Sequence, residues 1–323
     1  MTTTDVFTSV RPDIERDRWG RPMVHTVGGK PVAYTRCTTY VGCIEDTYNL
    51  SRWQMRMVAT GLVDRPDLLL AASAHRDDKR ALDNVCSDAM EAAKAHAAAT
   101  TGTALHALAE RVDVGIDVGA VPAAYVADLA AYTEATRPLK PVQIEQFTVL
   151  DALKIGGTPD RVVTYKGKRY IADIKTGTLD FGYLKIAAQL AAYARSRPYD
   201  VTTHERLEPH GAETDRGIII HLPAGTGTCR LYWVDLLEGW NAVQVCRMIR
   251  ERRAIPKRDL IAEFDAPPPD KVLTPLEPTH DVLADTIAGC TDAEAIRDLW
   301  RDNAAVWTDV LTALAKARIA ALA

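Results

Sequence analysis

The 323-residue chain contains no run approaching eighteen consecutive apolar residues, so the sequence offers no membrane-spanning helix. Its start, MTTTDVFTSVRPDIERDRWG, has neither the basic opening nor the apolar run of a secretion signal, and a cytoplasmic location is expected. Neither GxxxxGKS/T nor GxGxxG occurs, which leaves no glycine loop to cradle nucleotide phosphates; no nucleotide cofactor and no ATP-driven motor is expected. Six cysteines (Cys37, Cys43, Cys86, Cys229, Cys246 and Cys290) are scattered without the two-residue spacing of zinc or dithiol motifs. They read as buried thiols in a reducing compartment. There is no excess of positive charge: 39 Lys and Arg against 43 Asp and Glu give −4. Contacts to nucleic-acid phosphates must therefore come from local clusters. No internal repeat is present.

What is present is a chain 47% hydrophobic, long enough for one large core or two modest ones. Its most informative stretch runs from Val142 to Tyr193. Val142–Val149, Thr158–Tyr165 and Arg169–Lys175 are short β-branched runs separated by turn residues, and Lys166-Gly167-Lys168 joins the last two as a hairpin. Side chains alternate along a strand, so Asp173 and Lys175 share a face while Ile174 points to the core. Asp160, just after Gly156-Gly157, falls opposite Asp173 across the hairpin. Two carboxylates so close repel, and a shared proton or a bound cation relieves them.

Before this stretch, residues 1 to about 35 read as irregular, with a hairpin across Val27-Gly28-Gly29-Lys30. A helix is expected from Thr38 to Leu62, with Tyr40, Ile44, Tyr48, Leu50, Trp53 and Met57 as core; Arg52 and Arg56, one turn apart, read as a solvated face or a DNA contact. Leu68 to about Val112 is alanine-rich and helical, with a break near Thr101-Gly102, and places His106 and Glu110 on one face.

After it, a helix from about Asp180 to Arg197 presents Gln189 and Tyr193 together, either packed on the sheet and capping a strand end or contacting a nucleotide or the acid cluster. Gly217–Leu222 and Arg230–Val234 form a further strand pair, and a helix follows over Leu236–Arg253. Arg247, Arg250, Arg252 and Arg253, with Lys257 and Arg258 past Pro256, exceed what a helix dipole requires and are the best candidates for phosphate contacts. APPPDKVLTPLEP is a proline-rich linker. Helices are expected from His280, from Asp292 with Thr291 and Glu294 as a capping box, and from Asn303, with Trp300, Trp307, Leu311 and Leu314 packing an appendage. The expected divisions are thus a mostly helical region 1–90, a core 91–258, a linker 259–278 and a helical appendage 279–323.

The set His106 in GTALH, Glu145, Asp160 in GGTPDR, Asp173 and Lys175 in ADIKTG, and Gln189 with Tyr193 in QLAAY resembles the PD-(D/E)XK nuclease superfamily, most closely its RecB-like exonuclease branch. The resemblance covers about residues 92–235. It implies an α/β fold with a mixed sheet and a restriction-endonuclease-like αβββαβ core carrying helical N- and C-terminal additions. It also implies metal-dependent hydrolysis of DNA, with His106, Asp160, Asp173 and the Ile174 carbonyl holding Mg²⁺ or Mn²⁺, Lys175 orienting or activating the water and Glu145 as a second-site or outer acid. Gln189 and Tyr193, with Arg250, Arg252 and Arg253, would contact DNA. Some such nucleases hold an iron–sulfur cluster through closely spaced cysteines; Cys229, Cys246 and Cys290 are too dispersed, and none is expected. A recombinase, single-strand-binding or helicase partner is compatible with the resemblance, and oligomeric state stays open. The alternatives are a sequence- or structure-specific endonuclease, and a non-catalytic DNA-binding or assembly protein on the same fold.

Overall fold

The computed structural model describes residues 13–26, 29–95, 97–261 and 280–322. The expected turn at Val27-Gly28 and nearly all of the proline-rich linker lie outside these residues. The chain divides into two compact units, Met1–Arg247 and Met248–Ala323.

The first unit opens on a small antiparallel pair, β1 (Met23–His25) and β2 (Pro31–Ala33), followed by β3 (Thr35–Arg36). The single helix expected over Thr38–Leu62 is two: α1 (Cys37–Val41) and α2 (Tyr48–Asp64), separated by a tighter turn at Gly42–Ile44. Of the aromatic and aliphatic stripe assigned to core, Tyr40 is buried, whereas Tyr48 and Leu50 are exposed. α3 (Pro66–Ala74) begins with proline, whose missing N–H costs nothing in a first turn. α4 (Lys79–Ala92) is capped by Asp78, whose carboxylate accepts the amides of Arg80 and Ala81.

α5 (Ala97–Val114) runs unbroken through Thr101-Gly102, where an interruption was expected. α6 (Ala123–Thr136) was not anticipated. The expected first strand, Val142–Val149, is also two: β4 (Lys140–Ile144) and β5 (Thr148–Leu150) belong to different sheets. The chain continues with β6 (Ile155–Gly157), β7 (Arg161–Tyr165), β8 (Lys168–Lys175), α7 (Tyr183–Ala194), β9 (Arg197–Pro198), β10 (Arg216–His221), β11 (Arg230–Asp235) and α8 (Leu236–Arg253). The main sheet has the order β11-β10-β8-β7-β4, with β8 and β10 parallel and the other neighbours antiparallel; β3-β6-β5-β9 form a second, smaller sheet. The α/β class and the helix, three strands, helix, strand order expected of the core are the ones observed, with β5 and β6 inserted and helices added at both ends.

Alternation along β8 divides the interior. Tyr170, Ala172 and Ile174 pack with Leu105 and Ala109 of α5, Tyr132 of α6, and Ile218 and Ile220 of β10. Ile171 packs on the other face with Leu190 of α7, Tyr40 and Val41 of α1, and Leu236, Trp240 and Val243 of α8. Both faces of the strand are covered, and each isoleucine buried this way contributes about 1.5–3 kcal/mol.

In the second unit, α9 (His280–Gly289), α10 (Ala293–Asp302) and α11 (Asp309–Leu322) enclose a small core of Leu283, Ile287, Ile296 and Leu311. α10 is capped by Asp292, which accepts the Ala295 amide at 2.8 Å, rather than by the expected Thr291 and Glu294 box. Trp300 and Leu314, assigned to packing from sequence, are exposed.

Candidate metal centre

Glycine brings the first candidate ligand into place. A Cβ on Gly102 would stand 2.7 Å from the Thr176 hydroxyl, so the bare backbone lets α5 press against the chain just beyond β8. His106 lies four residues further along, on the same helical face. Its Nδ1 stands 3.5 Å from Asp160 Oδ2.

Asp160 immediately precedes β7. The register pairs Arg161 with Ala172, and one further step sets Asp160 opposite Asp173, the juxtaposition read from sequence. Asp160 is fixed by the Ile174 amide, which donates to its Oδ2 at 2.7 Å. Glu145 arrives by a different route. It follows β4 at the point where the chain leaves one sheet for the other, with φ +49, a left-handed conformation that costs a non-glycine residue about 1 kcal/mol or more. Its amide donates to the Asp160 carbonyl at 2.9 Å, locking the bend. The periodic run over Val142–Val149 gave no sign of this bend.

His106, Glu145 and Asp160 each offer a ligand atom, and these lie within 4.8 Å of one another. Asp173 stands outside this trio. Its Oδ2 forms an ion pair with the Lys175 ammonium on the same face of β8, as alternation required. Glu145, expected as a second-site or outer acid, is the carboxylate that stands with His106 and Asp160.

The electrostatics suit a cation. Burial, and then the Asp160 charge, push the Asp173 carboxyl up to about 6, against the pull of Lys175. Burial likewise raises Asp160, with Arg161 opposing. Burial lowers His106, favouring the neutral imidazole that a metal requires. Two buried acids held this way are relieved by a divalent ion, and oxygen-rich donors with one imidazole fit Mg²⁺ or Mn²⁺. The donor set therefore fits the group that the resemblance implies.

Behind the acids lies a network that the sequence did not disclose. Arg161, 3% exposed at its side chain, donates through Nε to Asp113 at 2.7 Å, and the Tyr132 hydroxyl bonds both Asp113 oxygens at 2.8 Å. A positive charge in the dipeptide Asp160-Arg161 was visible in the sequence, but its partners come from α5 and α6.

Gln189 and Tyr193 lie on the inner face of α7, 9% and 4% exposed. Gln189 donates to the Tyr193 phenol, whose hydroxyl in turn meets Cys37; burial holds this phenol well above its usual range. A Cβ on Gly157 would come within 2.7 Å of the same hydroxyl. Neither side chain faces solvent as a DNA contact needs; Tyr193 packs in the core between α7, α1 and α8. Arg250, Arg252 and Arg253 occupy the last turn of α8, in the second unit, where Arg252 and Arg253 are exposed.

Residues 117–195 match the family model of the PD-(D/E)XK nuclease superfamily. The matched segment holds Glu145, Asp160, Asp173, Lys175, Gln189 and Tyr193, and stops short of His106. The match supports a metal-dependent nuclease, a phosphodiester hydrolase acting on DNA. The chain matches no curated protein. Among the described residues no helix is long and apolar enough to cross a membrane.

Proposed function

We propose that the protein is a Mg²⁺- or Mn²⁺-dependent DNA exonuclease of the RecB-like type, working in the cytoplasm in phage or bacterial recombination, repair or DNA degradation. The observation that carries the metal-dependent chemistry is the convergence of His106, Glu145 and Asp160 within 4.8 Å, directly beside the Asp173–Lys175 pair.

The ligands would be His106, Asp160 and Asp173 with the Ile174 carbonyl, and Glu145 as a further carboxylate. A divalent ion bound there supplies a nucleophilic water near neutral pH and counter-charge for the phosphorane and the leaving oxygen. The chain's own residues do the positioning. The Ile174 amide and the Glu145 bend hold Asp160 rigidly. Lys175 neutralises Asp173 and, from the same strand face, orients the attacking water or a phosphate oxygen. Gln189 and Tyr193 keep β8 and α7 in register. The basic end of α8, with Arg250, Arg252 and Arg253, supplies phosphate contacts.

Digestion of end-labelled linear DNA beside closed circular DNA, with Mg²⁺, Mn²⁺ or EDTA, tests this reading in the wild type and in Asp173→Ala. Metal-dependent loss of linear DNA alone, absent in the variant, is expected. Cutting of circles would identify an endonuclease instead. Metal-independent DNA binding without cutting would identify a binding or assembly module.

A further inference from the structure

α5 meets the Asp160-Arg161 dipeptide at two charged points. His106 faces Asp160, with 3.5 Å between Nδ1 and Oδ2, and Asp113 faces Arg161, with 2.7 Å between Oδ2 and Nε. His106 and Asp113 are seven residues apart, two helical turns, so they stand on one stripe of α5 about 10.5 Å apart along its axis. Their partners are consecutive residues at the entry to β7. The long Arg161 side chain spans the difference.

The second contact is the one that fixes the helix. A separation of 3.5 Å is longer than a hydrogen bond, and the His106 side chain is 33% exposed. Asp113 and Arg161, by contrast, are 5% and 3% exposed. Tyr132 of α6 closes the group: its hydroxyl reaches both Asp113 oxygens at 2.8 Å, and its ring centroid lies 5.9 Å from the Arg161 guanidinium carbon. Arg161 Nη1 is buried and has no hydrogen-bonding partner among the described residues, which leaves Asp113 as the group that holds the guanidinium.

An ion pair buried this fully contributes little net stability over apolar residues of the same size, because dehydrating two charges offsets their attraction. What it supplies is one axial setting of the helix. A slip of α5 by a single residue's rise, about 1.5 Å, would break the Asp113–Arg161 contact and carry His106 along by the same distance. We infer that Asp113, braced by Tyr132, is a positioning residue: acting through Arg161, it sets α5 along its axis and so presents the His106 imidazole to a metal ion held by Asp160 and Glu145. The inference rests on the metal centre of the nuclease reading above and adds to it residues that touch neither the ion nor DNA.

Mn²⁺ affinity of the full chain without DNA, measured by titration calorimetry at pH 8, tests this in a double-mutant cycle of wild type, Asp113→Asn, His106→Ala and the two combined. Asp113→Asn keeps the size of the side chain but removes the counter-charge of Arg161. It is expected to weaken Mn²⁺ binding about tenfold or more in the wild-type background. In the His106→Ala background, where the ligand it positions is gone, it is expected to cost less than about twofold. Equal losses in the two backgrounds would mean that Asp113 acts on the ion through its charge alone. That result, or no loss in either background, would overturn the inference and leave the metal centre standing. The combined change Asp113→Leu with Arg161→Met removes both charges at similar volume, so it alters neither the net charge nor the pairing of a buried group, and it stands in for Asp113→Asn if that variant shows no cooperative melt. It is expected to melt as cooperatively as the wild type and still to lose about tenfold in Mn²⁺ affinity; wild-type affinity in this variant would overturn the inference. A wild type that binds no Mn²⁺ would overturn the metal-dependent reading as well.

Discussion

Asp173→Asn separates a functional acid from a structural one. The Asp173 carboxyl is pushed to about 6 in the fold against 3.8 for an ordinary aspartate. Because the folded value is the higher one, the stability associated with this group is fully present below pH 3.8 and is lost as the pH rises to about 6. The difference amounts to about 3 kcal/mol at 1.36 kcal/mol per unit. This figure already contains the attraction to Lys175, which acts in the opposite direction. Asparagine resembles the protonated acid and carries no such loss. In EDTA at pH 7.5 the variant is therefore expected to be more stable by about 3 kcal/mol, a rise in Tm of about 6 °C or more for a domain of this size. Near pH 4 the two proteins should melt together. Mn²⁺ should raise the Tm of the wild type, by an amount set by its saturation, and raise that of the variant far less, while DNA hydrolysis by the variant is lost. Thermal melts at the two pH values, with and without Mn²⁺, measure all of this. A variant that melts below the wild type at pH 7.5 in EDTA, or a difference independent of pH, would refute the reasoning and make Asp173 a structural acid.

Lys175→Met should lower turnover about 100-fold or more with Mn²⁺ affinity at pH 8 nearly retained; because Lys175 lowers the Asp173 carboxyl, proton competition against Mn²⁺ should also move to higher pH. Wild-type turnover in this variant would remove Lys175 from the chemistry. Gly239→Ala places a Cβ 2.3 Å from the Ala187 carbonyl where α8 crosses α7, and should destabilise the fold by about 1–3 kcal/mol, read as a lower urea midpoint. Arg250→Ala, Arg252→Ala and Arg253→Ala together should weaken DNA binding and reduce the slope of log affinity against log salt by about 2–3; an unchanged slope would return that turn to ordinary solvated surface.

The sequence by itself determined the parts of the site that depend on local periodicity. Asp173 and Lys175 share a face because strand side chains alternate, and Asp160 falls opposite Asp173 because the hairpin turn at Lys166-Gly167 fixes the register. His106 was identifiable through its motif, and its approach depends on Gly102, a residue whose absence of side chain matters only once Thr176 is placed against it. Tertiary structure decided the rest. The bend at Glu145 arises because β4 and β5 pair in different sheets, a choice made by partners distant in sequence. The burial of Gln189 and Tyr193 follows from which face of α7 meets Cys37 and β8. The Arg161–Asp113–Tyr132 network joins three elements that share no local pattern. Periodicity reports the face on which a side chain stands. What stands opposite that face is settled only when the sheets close and the helices cover them.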